Sequence, residues 1–243
     1  MSSTPSGTSR FATTHWSVVL AAGAPDSSHY REALEALCRA YWFPLYAYLR
    51  RRGHDMHQAE DYTQAFFTRL LEKGSLKQVD PARGKFRTFL LASLKNFLSD
   101  EWDRTRALKR GGNRQALPFE IADAETRYTS ETSADLSAEK QFEKSWALTV
   151  LQRAFTRLQS DYCDADRIQL FDYLKEHLTG DQSGVPYREV AVTLGMTEVA
   201  VKAAAYRLRQ RYRELVRREI SQTICAPDKV DEEVRELFAA LGD

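Results

Sequence analysis

At 243 residues and 43% hydrophobic content, the chain can bury one large core or two smaller ones, which excludes wholesale disorder. Its formal net charge of +1 excludes no partner, because opposite charges are segregated along the sequence. Cys38, Cys163 and Cys225 are far apart and match no metal spacing, so they read as free thiols of a reducing cytosol; no signal peptide opens the chain, and no apolar run approaches the roughly 18 residues of a membrane span.

The first 28 residues read as an N-terminal arm. Its opening is rich in Ser, Thr, Gly and Pro, and the apolar segment FATTHWSVVLAA, Phe11 to Ala22, can dock through Trp16, Val19 and Leu20. From His29 to Arg52, Leu34, Leu37, Cys38, Tyr41, Trp42, Leu45, Tyr48 and Leu49 keep helical steps of three and four. Pro44 predicts a kink or a split in that helix, and Arg50-Arg51-Arg52-Gly53 predicts its end. A second helix, Met56 to Lys73, carries Ala59, Thr63, Phe66, Phe67, Leu70 and Leu71 on its apolar side. After a polar loop, Gly74 to Gly84, the third helix runs from Lys85 to about Arg110. Phe86, Phe89, Leu90, Leu94, Phe97 and Leu98 form its apolar stripe, with Arg87, Lys95, Asn96, Trp102, Arg104 and Arg106 among the basic, polar and aromatic residues around it. Cations that track a backbone beside aromatics that stack on bases suit unpaired DNA; a core helix with a solvated basic face is the plain alternative.

Residues 111–137 are polar and without sustained periodicity, and read as a flexible linker with an acidic excess. Helices resume at Ala138 to Ser160 and Ala165 to Leu178. The stretch PYREVAVTLGMTEVAVKAAAYRLRQRYRELVRR, Pro186 to Arg218, then reads as a helix-turn-helix. Val190, Ala191 and Leu194 share one face of a short helix, Gly195 supplies the positive φ that ends it, and Thr197 caps the next. Val201, Ala205 and Leu208 face inward on this second helix, while a large excess of arginine suits DNA phosphates. Because Ala203, Ala204 and Ala205 carry no long side chains, Lys202, Tyr206 and Arg207 are the candidates for DNA contact. An ordinary helical hairpin is the alternative. The tail, residues 226–243, is acidic and amphipathic; it reads as a helix docked on the second unit or, alternatively, as a partner-binding or self-masking segment.

The expected fold is therefore all-α: two helical domains at 29–110 and 138–225, a flexible linker between them, and a helix-turn-helix in the second. No catalytic or metal site is legible. Nucleotide-binding glycine loops and nucleophile elbows are missing, His54 and His57 lack further ligands, and Glu60-Asp61 diverge on a helix. No enzyme, cofactor or small-molecule substrate is expected.

The order and separation of three motifs carry a resemblance: QAEDYTQAFFTRLL at Gln58 to Leu71, FRTFLLASLKNFLSDEWDR at Phe86 to Arg104, and the helix-turn-helix. Together they resemble a bacterial RNA polymerase sigma factor of the small, two-domain extracytoplasmic-function type. The resemblance implies that Glu60, Asp61, Gln64 and Phe67 dock on the β′ clamp helices of core polymerase. It implies further that Arg87, Lys95, Asn96, Trp102, Arg104 and Arg106 open and read the downstream promoter element. The helix beginning at Thr197, with Lys202, Tyr206 and Arg207, would read the upstream element as duplex, beside the β flap. Such a factor works in the cytoplasm on promoter DNA and has no active site of its own; a helix-turn-helix regulator acting without polymerase is the alternative.

The chain departs from the family's clamp-binding pattern at two places, where Gln58 and Ala65 stand for acids. Thr63 lies between them, which predicts that a serine/threonine kinase restores the docking charge by phosphorylating it, adding about −1.5 to −2 charges. Thr68 is the second candidate. Thr63 also shares the apolar register of Ala59, Phe66 and Leu70, the pattern of an ordinary core threonine.

Overall fold

Nearly every regular element is decided by where apolar residues recur at helical spacing. The computed structural model describes residues 28–72, 85–107, 121–132, 135–178, 184–222, 224 and 229–242; the N-terminal arm, the loop at 74–84 and Cys225 lie outside them. Among the described residues there are nine α-helices and no strand, so the fold is all-α.

Helix α1 spans Ser28–Arg51. Every residue from Tyr41 to Leu49 is buried, the signature of a helical segment covered on all its faces. It runs through Pro44 without a break, so the predicted split does not occur. The missing proline N–H forfeits one backbone bond, and burial of both flanking apolar runs outweighs that loss. Gly53, at φ 91°, ends the helix as its sequence predicts. Helix α2, Met56–Glu72, is opened by Asp55, whose Oδ1 accepts from the Gln58 N–H at 2.8 Å. Helix α3, Phe86–Ala107, closes this part through edge-to-face contacts of Phe66 with Phe97 and of Tyr41 with Phe86.

The interval read as a linker contains helix α4, Ile121–Glu131, held against α1. Glu125 accepts from Arg50 Nε at 3.0 Å and from the Tyr46 hydroxyl at 2.5 Å, and the Arg127 guanidinium lies 3.8 Å from the Phe43 ring centroid. Helix α5, Ala138–Asp164, is capped by Ser137 and packs along α1 on one side and along later helices on the other. Phe142, Trp146, Val150, Ala154 and Leu158 give it a buried stripe through its length.

Helix α6, Ile168–Leu174, continues as a 3₁₀ turn, Lys175–Leu178. Helices α7, Tyr187–Leu194, and α8, Glu198–Ser221, follow, and α9, Val230–Gly242, returns to pack on α5 and α8. Buried apolar residues from α1 through α9 belong to one continuous cluster, with α5 as its spine.

Candidate functional site

The second helix presents a narrower face than the sequence suggested. Asp61 and Thr68 are exposed and Glu60 is half-buried, its carboxyl pushed up by burial and by the neighbouring Asp61. Gln64 is nearly buried and donates to Glu60 at 2.9 Å. Phe67, expected as a docking contact, is instead 2% exposed, because it continues the inward stripe of Phe66 and Leu70. Thr63 is fully buried, and its hydroxyl donates to the Ala59 carbonyl at 2.7 Å. That burial and hydrogen bond are those of a threonine satisfied within its own helix. Ala65 is buried too, so an acid at this position would point inward.

Along α3 the candidates part company. Lys95 and Asn96 are exposed, Lys95 pairing with Glu139 of α5 at 2.8 Å, a bond that holds its ammonium pKa up. Trp102 is 66% exposed, an unusual state for so large an apolar ring. The Arg104 and Arg106 side chains lie outside the described residues.

The α7–α8 pair has the local geometry its sequence predicts. Gly195 sits at φ 63°, and the Thr197 hydroxyl accepts from the Ala200 N–H at 3.2 Å. Val190, Val201, Ala204, Ala205 and Leu208 are buried, which leaves Lys202, Tyr206 and Arg207 on the outer face. Lys202 is bonded at 2.7 Å to Glu198, whose carboxyl it holds below the usual range. On the same two helices Val192 and Val199 are 80% and 77% exposed. The sequence reading missed both; their signal was that each falls off the inward register of its helix.

Residues 37–107, from within α1 to the end of α3, match the family model of sigma-70 region 2. This region 2 match supports a sigma factor that binds core RNA polymerase. Neither a curated protein nor a solved structure matches the chain. Among the described residues no helix is long and apolar enough to cross a membrane.

Arg87, in the first turn of the last region 2 helix, is the largest departure from expectation. Read as a DNA contact, it is 5% exposed, with its guanidinium 4.2 Å from the Trp146 ring centroid of α5. All three of its nitrogens are engaged: Nε with Glu143 at 2.7 Å, Nη2 with Glu236 at 2.5 Å, and Nη1 with Glu233. Glu233 and Glu236 also bind Lys85. Burial works against the Arg87 charge, and the carboxylates of Glu143 and Glu233 more than offset it, so its pKa is raised. Glu236 is likewise held low: burial opposes its charge, and Lys85 and Arg87 prevail. The sequence marked Arg87 as a cation on a basic helix but gave no sign that its partners stand on α5 and α9.

Proposed function

We propose that the chain is a sigma factor of the extracytoplasmic-function type, which directs core RNA polymerase to particular promoters and itself catalyses no reaction. The observation that carries this reading is the sigma-70 region 2 match across α1 to α3. The exposed edge of α2, with Glu60 and Asp61, docks on the β′ clamp helices. Lys95, Asn96 and Trp102 on α3, with Arg104 and Arg106 beyond them, meet the separated promoter strand, where an exposed indole gives a base a stacking surface. Lys202, Tyr206 and Arg207 on α8 meet duplex DNA in the major groove, and the same unit sits beside the β flap. The test is reconstitution with purified core polymerase: co-elution together with promoter-dependent transcription supports the reading, and absence of both refutes it.

Kinase control belongs to the same proposal: Thr63, between Gln58 and Ala65, is the first phosphosite, and Thr68 on the same helix is the second. Thr68 is exposed and seven residues from Asp61, so both lie on one edge of α2. A phosphate there extends the acidic edge without entering the core, adding about −1.5 to −2 charges opposite a basic clamp surface. Stronger core binding by Thr68-phosphorylated protein than by unmodified protein is the expected result.

A second reading, a helix-turn-helix regulator independent of polymerase, is favoured by the exposed Val192 and Val199 on the same two helices as Lys202 and Arg207, since apolar groups can pack on thymine methyls. Sequence-specific duplex binding with no affinity for core polymerase would decide for it.

A further inference from the structure

We propose that α9 is an intramolecular plug: Glu233 and Glu236 occupy Lys85 and Arg87 at the head of α3 and keep nucleic-acid phosphate from those two cations. The proposal rests on reading α3 as a helix that meets promoter DNA. Its basis is a group of five charges on three elements. Lys85 and Arg87 are met by three carboxylates, Glu143 from α5 and Glu233 and Glu236 from α9, and the Arg87 fork has no nitrogen left over. A guanidinium fork accepts phosphate with the same geometry as carboxylate, so the two oxyanions compete for one place.

The way α9 is attached fits a removable part. Its buried apolar anchors are Val230 and Leu237, while Phe238 is 59% exposed. Its contact with α8 includes an exposed ion pair, Arg217 with Asp231, of the kind that contributes little in water. An open cleft of about 560 Å³ runs beside Glu236, between Thr88 of α3, Lys140 of α5 and Ala239 of α9. A helix that served only to cover the core would do so at least as well with apolar contacts, because burying Glu233 and Arg87 costs desolvation. Carboxylates on an arginine fork can instead be exchanged for another oxyanion, and α9 then leaves with its charges satisfied by water.

The experiment uses the full chain and a fluorescent single-stranded oligodeoxynucleotide of mixed sequence, titrated at several salt concentrations. Two variants release α9 differently: Glu233→Gln with Glu236→Gln removes the competing charge, and Leu237→Ala weakens the apolar anchor with no change of charge. Hydrogen exchange over residues 230–242 reports release. Faster exchange is expected in both, with oligonucleotide affinity about tenfold tighter near 0.1 M salt. The salt slope should steepen by about 1.4, since each newly neutralised phosphate on a single strand adds about 0.7. Adding Arg87→Gln to the Leu237→Ala variant should take back about half of that steepening. Released α9 with wild-type affinity and slope overturns the plug, and so does exchange that neither variant alters. Should the double glutamine variant fail to fold, Leu237→Ala decides alone. Core polymerase binding, measured in parallel, keeps the two readings apart: its absence in every variant sinks the sigma reading, while polymerase binding with unchanged oligonucleotide affinity sinks only the plug.

Discussion

Phe67 and Arg207 mark the two ends of what a single side chain can do here. Phe67 lies inside, in ring contact with Phe66 at 5.7 Å, so its removal opens a cavity rather than an interface. Phe67→Ala is expected to cost about 3–5 kcal/mol of stability, read by urea unfolding, with polymerase binding lost only to the extent that folding is lost. An interfacial role would show the reverse, weak binding by a fully stable variant. Arg207 is exposed on the outer face of α8 and has no such structural duty. If it reads a base edge, Arg207→Ala removes about 1–3 kcal/mol of discrimination at one promoter position. Uniform weakening on every duplex, with a shallower salt dependence, would assign it to phosphate instead. Thr63 belongs with Phe67, because its hydroxyl is satisfied and its methyl lies in the core. If Thr68 carries the phosphate, Thr63→Val leaves transcription unchanged and Thr68→Ala removes any response to a kinase; the reverse pattern assigns the phosphate to Thr63, and phosphopeptide mapping with run-off transcription on the same samples decides between them.

Among the elements, α4 depends most on others. Its eleven residues make a short helix, marginal in isolation, and its main tie to α1 is the Arg50–Glu125–Tyr46 group. The Arg50 hydrogen bond holds the Glu125 carboxyl below the usual carboxylate range. A carboxylate with a depressed folded pKa stabilises fully above its unfolded value, about 4.3 for glutamate. That contribution is lost as pH falls through the folded value. Amide protection over residues 121–131, corrected for intrinsic exchange, should thus hold at neutral pH and collapse in acid, and Glu125→Gln should lower it at neutral pH. Protection unaffected by either change would mean that Arg127 on Phe43 carries the docking. This also explains what the sequence could reveal. Helices α2, α3, α7 and α8 were legible because each carries its own apolar stripe and stop signals, such as Phe66 and Leu70 or Gly195 and Thr197. In α4 the residues that decide are charged, and their partners sit 75 and 79 positions earlier in the chain. Arg87 was misplaced for the same reason: its partners Glu143 and Glu233 lie 56 and 146 residues away, and only the folded chain brings them together.

At the scale of the molecule, α5 decides how the parts are coupled. It packs on α1 of region 2 and also on α8 and α9, so region 2 and the α7–α8 pair share a core instead of hanging on a tether. Trp146 stands at that junction: its ring is 1% exposed and Arg87 of α3 lies over it. Two independent domains on a flexible linker would unfold in two steps, and a core substitution in one would leave the other untouched. A shared core unfolds as one unit. Trp146→Ala is expected to cost about 3–5 kcal/mol, a large share of the roughly 5–15 kcal/mol that holds a typical protein folded. Both halves should lose that stability together. Hydrogen exchange in urea, followed separately over residues 41–49 and 201–216, should give one midpoint for the wild type and one lower, still common midpoint for the variant. If instead the midpoints diverge, with 201–216 keeping its wild-type value, the halves are separate bodies and the α1–α5 contact is a docked arrangement. In that case the plug at Arg87 would carry most of the coupling between them, and releasing α9 would separate region 2 from the α7–α8 pair as well as expose its cations.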